Sequence, residues 1–209
     1  MNAQPQFSYI SEEEYREGEE HSAVKHEWFR GEVFAMAGGT FNHTRICGNV
    51  HTSAKLALRG RPCSAHNGEQ RVKVEANGLN TYPDAVIFCP PARFEGRGDS
   101  TLLTPKVIFE VLSPSTERYD RTGKFDSYAQ IETFTDYILI DPERVSVEHF
   151  RRVEEGWLFR SFGRLADELQ FPDLEISLPL AEIYEDLEVP EREDSPVPLP
   201  EDPFGPPTF

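Results

Sequence analysis

Apolar residues change period several times along the chain, and each change predicts an element. Residues 11–20, crowded with glutamate, read as a short acidic helix with Ser11 as N-cap and acids in the first turn, where the helix dipole favours them. The run KHEWFRGEVFAMAG alternates bulky apolar and polar positions on either side of Arg30 and Gly31. It predicts a β-hairpin from about Lys25 to Met36, ended by Gly38 and Gly39. From His43 to Arg59 the period becomes helical: Ile46, Val50, Ala54 and Ala57 share one face, Asn42 is available as cap and Gly60 as terminator.

Short strands are predicted at PCSAH and EQRVKVE, and a compact apolar strand over Ala85 to Phe88, stopped by Pro90 and Pro91. The segment ARFEGRGDSTLLT, rich in glycine and charge, reads as a loop, and PKVIFEVLSP as a further strand ending at Ser113 and Pro114. STERYDRTGKFDSYAQIE resumes helical spacing, with Gly123 marking a bend or a close approach inside it. FTDYILID, RVSVEHFRR and GWLFRSFG return to strand patterns, separated by turn residues such as Asp141, Pro142 and Gly156. The sum is a strand, helix, strand core with an antiparallel extension: an α/β domain whose mixed β-sheet is flanked by helices and preceded by the hairpin. Residues 1–186 make up this domain. The stretch 187–209, acidic and carrying seven prolines, is expected to be a disordered or draped tail.

A length of 209 residues suits one domain, and 38 % hydrophobic residues suffice for its core. No stretch approaches the roughly 18 apolar residues that span a bilayer, and the N-terminus is polar where a secretory signal would be apolar, so a cytoplasmic protein without membrane association is expected. Cys47, Cys63 and Cys89 are odd in number and form no Cys-x-x-Cys pair; they are expected to be free thiols. The net charge of −16 opposes binding to nucleic acid, where Lys and Arg must neutralise phosphates. Much of the acid, however, lies in SEEEYREGEE and EVPEREDSPVPLPEDP near the two ends. Between them stand Arg59, Arg61, Arg71, Lys73, Arg93, Arg97, Lys106, Arg118, Arg121 and Lys124, enough cations for a basic face if they converge.

Three residues stand out chemically. Asp84 follows Pro83 at the opening of one apolar strand, and Glu110 sits between Val107, Ile108, Phe109 and Val111, Leu112 in another. A carboxylate inside such a strand is costly to bury unless it is paired or metal-bound. Two acids on neighbouring strands can hold a hard dication that activates water and neutralises phosphate charge. Alternation alone could instead place Glu110 on a solvated face. Lys124 is a cation able to orient water or stabilise phosphoryl oxygens; the plainer reading is an exposed ion pair with Asp120, four residues before it. The remaining histidines, His21, His26, His51, His66 and His149, show no two-histidine ligand spacing, and Gly38 and Gly39 begin no phosphate-cradling loop.

The run YPDAVIF, then VIFEVLSPST, then Asp120, Lys124 and Tyr128, then DYILIDP, resembles the Uma-two family of restriction-endonuclease-like proteins, within the PD-(D/E)xK nuclease superfamily. The likeness runs from about Ser8 to Tyr184. It implies that Asp84 and Glu110 ligate Mg²⁺ or Mn²⁺, with the backbone carbonyl of Val111 as a further ligand, and that the substrate is DNA. It also implies that Glu27 and His43 line the site, Glu27 as an extra carboxylate near the metal, and that two copies work as a homodimer. In the general superfamily pattern the lysine lies two residues after the acid; that position is Leu112 here, and the lysine on the following helix, Lys124, takes its place. Two other classes stay open: a non-catalytic binding or regulatory protein on the same scaffold, and an acidic mimic of DNA.

Overall fold

The computed structural model describes residues 9–192. Helix α1, Glu12–His21, starts at a capping box: the Glu14 amide donates to the Ser11 hydroxyl while the Glu14 carboxylate accepts from the Ser11 amide. Strands β1, His26–Phe29, and β2, Glu32–Ala35, form the hairpin. Its two-residue turn, Arg30 and Gly31, has positive φ at both positions, 52° and 90°, the twist that suits tightly joined strands. Helix α2, Phe41–Ala57, buries Ile46, Val50 and Ala54, but its cap is Thr40, whose hydroxyl accepts from the His43 amide, rather than Asn42. Asn42 instead donates its side-chain amide to the carbonyl of Pro142.

Strands β3, Ser64–Asn67, β4, Arg71–Lys73, β5, Asn80–Thr81, and β6, Ala85–Phe88, follow. The glycine-rich segment expected as a loop contains two short strands, β7, Phe94–Glu95, and β8, Thr101–Leu102. They exist because β8 pairs in parallel with β4, a long-range partner invisible in local composition. After β9, Val107–Val111, the chain crosses through α3, Glu117–Tyr119, a π-helical turn, Asp120–Lys124, and α4, Phe125–Tyr128, into β10, Asp136–Ile140. Strands β11, Val147–Val153, and β12, Gly156–Phe162, extend the sheet antiparallel. The pair β13, Glu168–Phe171, and β14, Ile176–Pro179, and then α5, Leu180–Ile183, complete the described elements.

Two six-stranded sheets result, ordered β2-β1-β5-β4-β8-β7 and β12-β11-β10-β9-β6-β3. The second is the frame of the molecule, mixed because β9 and β10 run parallel while its other neighbours are antiparallel. Parallel neighbours need a crossover, and here the α3–α4 segment supplies it. Alternation along β9 splits its side chains between two cores. Val107, Phe109 and Val111 join α2, β13 and β14, whereas Ile108 and Leu112 join Tyr128, Phe134 and Tyr137 beneath the crossover. Glu110 has the parity of the second set, and so points under the crossover into a buried layer.

One further expectation changes. Cys63 and Cys89 are not free thiols: they are joined in a disulfide, and only Cys47 is free. Spacing could not reveal this, because the pair is made by the antiparallel match of β3 with β6, where Ser64 faces Phe88 and each cysteine lies one residue beyond. The tail expected from residue 187 still touches the body over its first residues. Leu187 and Val189 pack on the core, the Val145 amide donates to the Pro190 carbonyl, and the Arg192 amide donates to the Gly163 carbonyl. The rest of that tail, and residues 1–8, lie outside the described residues.

Candidate active site

The hairpin, β6, β9 and the crossover all deliver polar side chains to one end of the central sheet. In β6 and β9 the register pairs Ala85 with Phe109, so Asp84, one residue before β6, lies level with Glu110 at the C-terminal end of β9. The Val111 amide donates to the Asp84 carboxylate at 2.7 Å, locking the two strand ends together. Val111, whose carbonyl the resemblance implies as a ligand, is thereby fixed beside Asp84.

Glu110 is 3 % exposed. One of its oxygens accepts from the Tyr128 hydroxyl at 3.0 Å and from the Lys124 ammonium at 3.3 Å. Lys124, 5 % exposed, is not the solvated surface cation of the plainer reading. Its Nζ lies 3.0 Å from Glu27, 3.2 Å from Asp120 and 3.3 Å from Glu110. The Asp120 contact is an ion pair, and among the described residues its buried Oδ1 has no hydrogen-bond partner. Glu27, on β1, also accepts from the Thr81 hydroxyl on β5, which ties the hairpin to the site.

Three acids thus converge on one ammonium. Burial by itself would lower the Lys124 pKa, but Glu110, Glu27 and Asp120 outweigh it and hold the ammonium well above its ordinary value. Burial pushes Glu110 well up; Lys124 opposes the rise, while Asp120, Asp84 and Glu27 add to it. The lysine is over-provided with anions and the glutamate is under-provided with cations. Tyr119, whose ring lies 5.9 Å from the ammonium, is pushed up to about 12 by burial and by Glu27.

Asp120 and Lys124, four residues apart and both buried, are the first and last residues of the π-helical turn. Such turns concentrate at functional sites because they rotate side chains off the regular helical face. Gly123 permits it here: a Cβ at that position would come within 2.8 Å of the Tyr119 ring.

On the other side of Asp84, α2 begins. His43 Nε2 lies 3.6 Å from the Asp84 carboxylate, and Cys47 Sγ lies 3.5 Å from His43 Nδ1. Burial, reinforced by Asp84 and Glu110, raises the Cys47 thiol pKa far above its ordinary value.

The structure therefore brings together Asp84, Glu110, Lys124 and Glu27, and sets His43 at their rim. Sequence reasoning gave Asp120 only an exposed ion pair with Lys124, named Tyr128 only within the family motif, and read Cys47 only as a free thiol. The signal was present in the four-residue spacing of Asp120 and Tyr128 about Lys124, and of Cys47 after His43, which puts each pair on one helical face. His149, read as ordinary, is buried against Asp136 at 2.7 Å, a pair outside this cluster.

Comparison with known proteins gives a consistent picture. The profile of the family described as "Uma2: Putative restriction endonuclease" matches residues 12–181. An uncharacterized protein of Synechocystis, slr1290, is 32 % identical over 182 residues, covering 87 % of this chain and 94 % of its own length. A second from the same organism, sll1609, is 28 % identical over 164 residues, covering 78 % and 93 %. Among solved structures, a "putative nuclease belonging to DUF820" from Anabaena variabilis superposes with a TM-score of 0.61 at 16 % identity, covering 78 % of this chain and 90 % of that one, which shows a shared fold.

Proposed function

The chain belongs to the Uma2 family of restriction-endonuclease-like proteins, and on that premise we propose that it is a metal-dependent endonuclease that hydrolyses DNA phosphodiesters at the Asp84–Glu110–Lys124 centre. The observation that carries the reading is the convergence of Glu27, Glu110 and Asp120 on the single buried Lys124, with Asp84 level with Glu110 on the next strand. A buried cluster with more acids than bases is expensive, and it makes chemical sense where a dication completes the charge balance.

The donor set fits Mg²⁺ or Mn²⁺: the carboxylates of Asp84 and Glu110 and the Val111 carbonyl are all oxygen ligands, the preference of hard cations. Such an ion supplies a water of lowered pKa and neutralises charge on the scissile phosphate. The chain's own residues do the rest. Asp84 is held in place by the Val111 amide, Glu110 by the Tyr128 hydroxyl, and Lys124 by three acids, so the constellation is formed before substrate arrives. Lys124 offers an ammonium for the attacking water or a phosphoryl oxygen. Glu27 holds that ammonium at 3.0 Å and stands as an additional carboxylate beside it.

DNA as the substrate draws support from the distribution of charge. Although the net charge is −16, residues 33–68 contain no Asp or Glu, and α2, whose first turn adjoins Asp84, occupies the middle of that stretch. A homodimer, one centre for each strand of a duplex, is part of the same proposal. Among the described residues no helix is long and apolar enough to cross a membrane.

The direct test is plasmid nicking by the purified chain in Mg²⁺, beside Asp84→Ala and Lys124→Ala. Loss of cleavage in both variants is expected; equal nicking by all three would expose a contaminating nuclease and remove the basis for the assignment. Sedimentation should give twice the mass of one chain. A non-catalytic protein on this scaffold would instead show no Mn²⁺-dependent stabilisation, and no effect of Glu110→Ala upon it.

A further inference from the structure

The oxygen donors of the proposed centre do not account for what α2 contributes next to Asp84. His43 and Cys47 are four residues apart and face the same way from the first two turns. One donor atom from each of His43, Cys47 and Asp84 lies within 4.8 Å of the other two, the one such grouping of His, Cys and carboxylate side chains among the described residues. The fully buried core contacts of α2 are carried by Ile46, Val50 and Ala54, while His43 and Cys47 are half-buried, Cys47 lying against the edge of the same core. Gly39 leaves room for the arrangement, since a Cβ there would fall 2.5 Å from the His43 ring.

We propose that His43, Cys47 and Asp84 form a site for a borderline transition-metal dication such as Zn²⁺ or Co²⁺, in preference to Mg²⁺. The inference rests on Asp84 being a metal-binding carboxylate and adds nitrogen and sulfur donors that a purely oxygen-ligated ion would leave unused. Imidazole and thiolate favour Zn²⁺ and its neighbours, whereas Mg²⁺ takes oxygen and water. Three protein ligands leave a fourth position for water or a phosphate oxygen, the pattern of catalytic rather than structural zinc. Tetrahedral ligation at about 2.0–2.3 Å sets donors roughly 3.5 Å apart. The separation of 3.6 Å between His43 Nε2 and Asp84 meets this, while Cys47 Sγ, now 3.5 Å from the other ring nitrogen, Nδ1, has to turn toward them for all three to bind one ion. A dication there also reverses the electrostatics that keep the Cys47 thiol neutral; the coordinating thiol releases its proton to solvent.

Cobalt titration of the full chain tests this, because Cys63 and Cys89 are paired and Cys47 is the single free thiol. Without reductant, Co²⁺ should produce an ultraviolet thiolate-to-cobalt charge-transfer absorption that saturates at one ion per chain. It should vanish in Cys47→Ser, weaken at least about tenfold in affinity in His43→Ala, and be displaced by Zn²⁺ but not by millimolar Mg²⁺. Cys47→Ser changes one atom, and matching circular dichroism would show that it still folds. Cobalt binding with no thiolate band, or with the same affinity in Cys47→Ser, overturns the inference. If Mn²⁺ still raises the melting temperature through Asp84 and Glu110 in that case, the nuclease centre survives and only the His43–Cys47 contribution is refuted. If no cation stabilises the chain through Asp84, both readings fail together.

Discussion

Lys124 and Glu110 lie 3.3 Å apart, yet their surroundings make opposite predictions for their removal. Lys124→Ala strips the only cation that Glu27, Glu110 and Asp120 pair with among the described residues, and breaking a buried ion cluster in this way costs about 3–5 kcal/mol. Glu110→Gln keeps an oxygen to accept from Tyr128 while removing one anion too many. In chelator it should leave stability unchanged or raise it by about 0.5–2 kcal/mol, as substitutions that relieve a functional site do. Urea denaturation of both variants checks this, and a large loss in Glu110→Gln would make the cluster an ordinary structural salt bridge. The pH dependence has a definite sign. Both groups have raised pKa values, so the folded chain binds more protons than the unfolded one. The Glu110 contribution should fall as pH rises past the ordinary carboxyl range. The Lys124 contribution is complete below the ordinary lysine value and is lost only as pH rises through its higher folded value.

Elements, rather than residues, set the precision of this site. Replacing glycine by alanine within a helix ordinarily stabilises by about 1 kcal/mol. Gly123→Ala should do the reverse, because the new Cβ meets Tyr119 at 2.8 Å and overpacking costs about 1–3 kcal/mol. The same change should displace Lys124 and reduce nicking; a more stable, fully active variant would mean that the π-helical turn is incidental. The disulfide acts at this scale too, tying edge strand β3 to β6, the strand that Asp84 opens, across 26 residues. Opening it with Cys63→Ser should cost about 3–4 kcal/mol on loop-closure grounds, and thiol titration of the unfolded wild type should find one reactive group per chain. The hairpin, α2, β6, β9 and β10 were legible because each has a clear apolar period and its own punctuation. Asp84 and Glu110 were conspicuous as charges beside apolar strands, whereas Lys124, on a helix and plainly read as an exposed ion pair, was singled out through the family resemblance. What was not legible depends on distant partners: β8 on β4, Cys63 on Cys89, and Val145 on Pro190.

Across the whole molecule the difficulty is that a chain of net charge −16 must approach a polyanion. Long-range repulsion is screened beyond about 8 Å at physiological salt, so local charge decides the encounter. The outward face of α2 exposes Thr44, Gly48, Thr52, Lys55 and Leu56, followed by Arg59, with no acid anywhere from 33 to 68. Arg45 and Arg61 are engaged by the exposed carboxylates of Asp186 and Glu175, and such surface pairs exchange readily for a phosphate. No ion pair among the described residues engages Lys55 or Arg59. If a duplex lies along this helix toward Asp84, each of these two cations neutralises a phosphate and releases its counterion. The double variant Lys55→Ala, Arg59→Ala should then bind DNA more weakly regardless of sequence. The slope of log affinity against log salt should become shallower by about 2, one for each lost contact. Both positions are exposed and far from the buried acids, so folding and cation response should stay as in wild type. A variant with unchanged affinity and salt slope would show that the duplex reaches Asp84 by another face.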